Sequence, residues 1–230
     1  MQDHVLLRAL SYHGESHVML DSHSAFQSPK CQKENWPAHK EQCKTNTKLR
    51  KQMAEADRLT AMLRMLTGDQ SNLPPSSLVH DELGEFLKRF RAMICRAGYC
   101  CLKIKQNPDA WSKYIFQLRI ERIPNPPQET KPWERYKVVS GEQLSVAELL
   151  EKGDDFRTML PQTERYRQRN ADVGCVGTLT TFLVCDSSGQ DIRCVSWGGF
   201  GKDSWNDVTP GEDWFETIRS EVERLSGRAR

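Results

Sequence analysis

The sequence predicts an α+β fold in two parts, a small N-terminal appendage and, from residue 80 onward, a larger domain in which a β-hairpin is flanked by helices. Three observations carry this. Leu83, Phe86, Leu87, Phe90 and Ile94 recur at steps of three and four, the period of an amphipathic helix over about residues 80 to 97. In KYIFQLRIERI, Tyr114, Phe116, Leu118 and Ile120 fall on one face while Gln117, Arg119 and Glu121 fall on the other, as in a half-buried strand. GTLTTFLVC and IRCVSW are two β-rich runs joined by DSSGQ, whose small and polar residues suit a hairpin connection of several residues.

The remaining elements follow in chain order. Residues 1 to 30 are polar and His-rich with no clear period, and carry no assignment. From Pro37 to about Leu66 good helix formers dominate, with Met53, Met62, Leu63 and Leu66 as a rough apolar stripe, and a break near Thr45 is open. TGDQSNLPPSS, residues 67 to 77, combines Gly, Asn and paired prolines and reads as a linker. After the proline-rich IPNPPQETKP, Lys137 to Val139 suggest a short strand, and Ser145 with Glu148 makes a capping box opening the helix VAELLEK. Thr209, Pro210 and Glu212 supply an N-cap, an N1 proline and an N3 acid for a last helix carrying Trp214, Ile218, Val222 and Leu225. The expected division is therefore 1–46, 47–79 and 80–230.

Length and charge bound the function. A chain of 230 residues holds one ordinary domain and a small appendage, which excludes a large multidomain machine. With 28% charged residues and a formal net charge of +2, the chain is neither an acidic solvating tail nor basic enough to demand nucleic acid. Arg8, His13, Glu15 and His17 interrupt the first apolar residues, so neither a secretory leader nor a membrane span is expected there. Eight scattered cysteines favour reduced thiols in an intracellular compartment, nucleus or cytoplasm, and there thiols and imidazoles serve zinc.

Such donors occur at Cys31, His39 and Cys43, spaced C-x7-H-x3-C, with Trp36 between them. His39 and Cys43 stand four apart; with Pro37 in the first turn of a helix they would share one face within reach of one metal. The spacing alone reads equally well as two ordinary thiols and a surface histidine. The whole string CQKENWPAHKEQC says more: Cys31, Gln32, Trp36, Pro37, His39, Lys40 and Cys43 together resemble the C-terminal half of a MYND-type zinc finger. The resemblance covers thirteen to twenty residues and makes the appendage a degenerate zinc finger. It departs from the family upstream. Where the family has an aromatic-Cys-Ser triplet this chain reads Phe26, Gln27, Ser28, and no cysteine precedes Cys31.

The resemblance implies Zn2+ as cofactor, with Cys31, His39 and Cys43 as ligands. Family fingers bind two ions in a cross-braced manner, which assigns Cys31 to one site and His39 with Cys43 to the other. His13, His17 and His23, with Asp21, could complete a single rearranged site or could be filler, since their spacing imitates no ligand pair. Family members bind short proline-containing peptides and recruit transcriptional or chromatin partners. The positions matching their peptide-contacting pair are Gln32 and Trp36, and an indole there could stack on an extended chain or only pack inside the finger. Lys30, Lys33, Lys40, Lys44, Lys48, Arg50 and Lys51 make the stretch basic, but no interleaved aromatic platforms accompany them, which argues for a solvated helix over a nucleic-acid site.

Nothing comparable points to catalysis, so an adaptor rather than an enzyme is expected, with an enzyme in residues 80–230 targeted by the finger as the rival. No SET-type cofactor or catalytic motif is present. WGGFGKDSW lacks the order of a phosphate-binding loop and reads as a turn. Asp154, Asp155, Asp186 and Asp191 show no spacing that pairs carboxylates, and adjacent Cys100 and Cys101 read as buried thiols.

Overall fold

The structure, a computed structural model, describes residues 10–11, 29–68, 73–152, 154–187, 190–209 and 211–228. It is α+β and divides into two compact units, one of residues 17–79 and one of residues 1–16 with 80–230. No helix among the described residues is long and apolar enough to cross a membrane.

In the smaller unit a single helix, α1, runs over Pro29–Thr67. It begins eight residues before Pro37 and is unbroken at Thr45, so Pro37 stands inside the helix and not in its first turn, and the backbone there forgoes one N–H donor. The expected apolar stripe does not form one buried face. Met53 is buried at 1% exposure while Met62, Leu63 and Leu66 are 60%, 61% and 82% exposed. Nine residues are two and a half helical turns, so positions 53 and 62 lie on opposite sides. Gly68 leaves the helix with φ +70. The next helix, α2, spans Ser76–Cys101, longer at both ends than its apolar period suggests.

The larger unit is a mixed sheet with helices on both faces. Its strands are β1 (Leu10–Ser11), β2 (Tyr114–Arg122), β3 (Tyr136–Ser145), β4 (Gly177–Ser187) and β5 (Gln190–Phe200), in the order β1-β5-β4-β2-β3. β3 runs antiparallel to β2, β4 parallel to β2, and β5 antiparallel to β4. A short helix α3 (Ala110–Lys113) leads into β2, and a 3-10 turn at Pro132–Arg135 precedes β3. β3 is ten residues long where only Lys137 to Val139 suggested a strand. Helices α4 (Val146–Lys152) and α5 (Asp154–Asp172) carry the chain across so that β4 can return beside β2. As expected, α4 is opened by Ser145, whose hydroxyl accepts the Glu148 N–H at 3.4 Å.

β2 is not half-buried. Phe116, Leu118 and Ile120 lie under one cover, yet Ile115 and Gln117 on the other face are also 2% and 3% exposed. The second cover is α5, whose Phe156 and Met159 pack with Ile115, Phe182, Val184, Val195 and Trp197. Residues 154–172 carried no expected element; they form α5, which holds Pro161 in its interior. The β4–β5 ladder continues to Ser187 opposite Gln190, so the strands approach more closely than a connection of several residues requires. The reading of WGGFGKDSW as a turn is corrected in its first half: Trp197 to Phe200 belong to β5. Gly198 is there for close packing, since a Cβ would stand 2.6 Å from the Cys95 Sγ of α2.

The last helix, α6, spans Trp214–Leu225 and is capped by Asp213, whose side chain accepts the Glu216 N–H. It starts four residues later than Thr209 and Pro210 suggested. Gly211 takes φ +86, a left-handed conformation that a right-handed helix cannot contain, so the helix opens beyond it.

Candidate functional site

Cys31, Gln32, Trp36, His39 and Cys43 all fall within α1, and their side chains lie outside the described residues. Backbone spacing still orders the positions. Steps of four and three place 32, 36, 39 and 43 along one face of the helix, with His39 and Cys43 one turn apart. Eight residues separate Cys31 from His39, about 12 Å along the helix axis, too far for one metal to bridge both. On one straight helix a single ion could not be held by all three positions. His13, His17, Asp21 and His23 lie outside the described residues. Among the described residues no group of three or more His, Cys, Asp or Glu side chains could hold a metal ion.

A second candidate lies in the larger unit, where the end of α2 and the loop after it meet the segment leading into α6. Here a cleft of about 430 Å³ is walled by Tyr99, Val208 and Trp214. Cys100 and Cys101, read as buried thiols, line it and are only partly covered. Burial, with the nearby Glu212 charge, pushes the Cys100 thiol up to about 11, and burial likewise holds Cys101 at about 11. Both are protonated thiols at neutral pH and poor nucleophiles.

The charged residues lining the cleft are Lys103, Lys105 and Glu212, and the Asp207 and Glu142 carboxylates lie near enough to act on Cys100 and Cys101. Glu212 is answered from Arg96, whose Nε and terminal nitrogen donate to the carboxylate at 3.3 and 3.1 Å. Arg96 also pairs with Asp207. The Lys105 ammonium donates to the carbonyls of Asn206 and Val208 at 3.2 and 2.8 Å, which fastens it to the far wall. Lys103 has no hydrogen bond or ion pair through its ammonium among the described residues. Its backbone closes α2: the Lys103 N–H donates to the Cys100 carbonyl at 3.0 Å and the Ile104 N–H to the Tyr99 carbonyl at 3.2 Å. This is the Schellman pattern, with Lys103 at φ +51 where glycine is usual.

Glu82 is the remaining conspicuous polar group, 3% exposed inside the larger unit. Arg122, Arg135 and the Tyr136 hydroxyl all donate to its carboxylate. Burial alone would raise its pKa, but the hydrogen bonds from Arg122, Tyr136 and Arg135 outweigh it and hold the carboxyl below its ordinary range. Every oxygen is occupied, so this node fastens α2 to β2 and β3 and offers nothing to a substrate.

Compared with protein-family models, with curated proteins and with solved structures, the chain matches none. The residues themselves carry the functional argument. Of the two candidates only the first was legible in the sequence. The cleft joins residues about a hundred positions apart, and its one local signal, a left-handed lysine at a helix end, has no counterpart in composition or period.

Proposed function

We propose that the chain is a zinc-binding protein–protein interaction module, an adaptor related to MYND-type fingers that recognises a proline-containing peptide near Gln32 and Trp36. One observation carries this reading: the string Cys31, Gln32, Trp36, Pro37, His39, Lys40, Cys43. Its placement on one continuous helix supports it, because the spacing sets the peptide pair and the His39–Cys43 pair along a common face. Two thiols and an imidazole are the donor chemistry zinc prefers, so the residues fit the ion. Cys31 would serve one metal position and His39 with Cys43 another, each completed by donors elsewhere. A bound zinc would supply folding energy, roughly 10 to 16 kcal/mol in small fingers, and no chemistry beyond that.

Among the described residues that line the cleft of the larger unit the one acid, Glu212, is engaged by Arg96. The test is the metal content of the purified chain beside a Cys43→Ser variant. Zinc in the first and less in the second is the expected result; equal, near-zero zinc in both discards the proposal.

A further inference from the structure

We propose that the cleft at the C-terminal end of α2 is a binding site for a small organic anion carrying an aromatic ring, with Lys103 as its principal charge. The site lies in the larger unit and is independent of the zinc reading.

Three features point to that ligand class. The first is charge. Two ammonium groups border the cleft, and its single carboxylate, Glu212, already accepts hydrogen bonds from Arg96. The lining groups alone carry one positive charge in excess, while Arg96, which answers Glu212, also pairs with Asp207. Lys105 uses two of its three donors on the Asn206 and Val208 carbonyls, leaving one for a ligand on a cation that is already held in place. The carbonyls of Tyr99 and Cys100, which would otherwise repel an anion at a helix C-terminus, are taken by the N–H groups of Ile104 and Lys103.

The second feature is shape. A volume of about 430 Å³ falls in the range of small-molecule sites, and its apolar walls, Tyr99, Val208 and the Trp214 indole, suit a flat ring. Trp214 packs edge to face against Phe116 with centroids 5.4 Å apart, which limits the movement of the indole.

The third is backbone strain in one place. Of three described residues other than glycine with positive φ, one, Lys103 at +51, lines this cleft, and a second, Trp205 at +54, packs on a residue that does. Trp205 lies against Tyr99, with ring centroids 5.1 Å apart. Glycine would close α2 at position 103 without strain, so a lysine there retains a side chain at the expense of the fold. Strain of this kind gathers at ligand sites.

The position makes structural and ligand-binding roles separable. In full-length protein with ¹⁵N label, phenyl phosphate and 1-naphthoate should shift the Trp214 indole N–H and the Lys103 amide saturably. Inorganic phosphate should bind more weakly, and a neutral naphthyl alcohol should not bind. Lys103→Gly should weaken both aromatic anions roughly tenfold or more, the usual scale for losing a charged hydrogen-bond partner, without lowering the thermal midpoint. Lys103→Arg should bind within about threefold of the wild type on the same scale. The proposal is overturned if neither aromatic anion shifts these resonances at millimolar concentration, or if Lys103→Gly binds as the wild type does. Equal affinity for the neutral alcohol overturns the charge argument, and equal affinity for inorganic phosphate overturns the aromatic one.

Discussion

The hydroxyl of Tyr136 donates to the buried carboxylate of Glu82 at 2.7 Å, joining the first strand residue of β3 to α2 inside the larger unit. Arg122 and Arg135 approach the same carboxylate, and both guanidinium groups are themselves mostly covered, at 16% and 20% exposure. Removing the acid leaves two partly buried cations without their anion, which costs more than the pair itself contributes. Glu82→Gln should lower stability by about 3 to 5 kcal/mol, measured by urea unfolding of the full chain.

The same node makes a pH prediction. The folded pKa of Glu82 lies below its ordinary value of 4.5, so its contribution is present above that value and is lost as pH falls through the folded one. The thermal midpoint should hold through neutral pH and decline in acid. The decline should be shallower in Glu82→Gln; an equal acid slope in both proteins would show that other carboxylates dominate.

Gly141 in β3 lies against the ring of Trp214, where an added Cβ would stand 2.6 Å from the indole. The ring cannot retreat freely because Phe116 packs on it. Gly141→Ala should therefore cost about 1 to 3 kcal/mol through overpacking. For a chain of this size that is a drop in midpoint of roughly 2 to 4 °C per kcal/mol. Combining it with Trp214→Leu should return part of the loss, as coupled neighbours do.

Asp57 in α1 receives the N–H groups of Ser76 and Ser77 at 2.8 and 3.0 Å, together with the Ser77 hydroxyl, and so caps α2 from outside its own sequence neighbourhood. Asp57→Ala should cost about 0.5 to 2 kcal/mol, the usual value of an N-cap. Amide hydrogen exchange should quicken at Ser76 and Ser77 first. Unchanged exchange there would mean that water replaces the carboxylate without penalty.

Cys100 and Cys101 should resist alkylation at neutral pH. Both thiols sit near 11, two units above the ordinary 9.0. Iodoacetamide labelling followed by peptide mass spectrometry should show rates on the order of a hundredfold below a free cysteine at pH 8, rising about tenfold per pH unit. Rapid labelling at pH 7 would reveal a thiolate that the environment stabilises.

Lys103→Gly should raise stability by about 0.5 to 1 kcal/mol, because the left-handed conformation then carries no side-chain penalty. A loss of stability would show that the lysine side chain supports the helix end by contacts of its own.

Periodicity made the skeleton legible. Alternation over residues 114 to 120 placed β2, the steps of Leu83, Phe86 and Phe90 placed α2, and β-rich runs around a polar connection placed β4 and β5. It failed where a local rule was outvoted. α5 went unassigned although its residues 154–172 form a helix around Pro161, and good N-cap residues at Thr209 and Pro210 drew the start of α6 too early because the break at Gly211 depends on a backbone angle. The donor string at Cys31 to Cys43 is legible as chemistry, and the structure adds the spacing of its positions along α1.

The sequence by itself determined the type of most helices and strands, though not all of them, and which residues carry metal-donor chemistry, because period and donor type are properties of neighbours in the chain. Tertiary structure alone decided that β2 is covered on both faces, that Glu82 is a saturated ion-pair node, and that Lys103 and Trp214 share a cleft. Each of these depends on residues far apart in sequence being brought together. Burial and charge compensation are set by what arrives from a distance, and no local pattern encodes them.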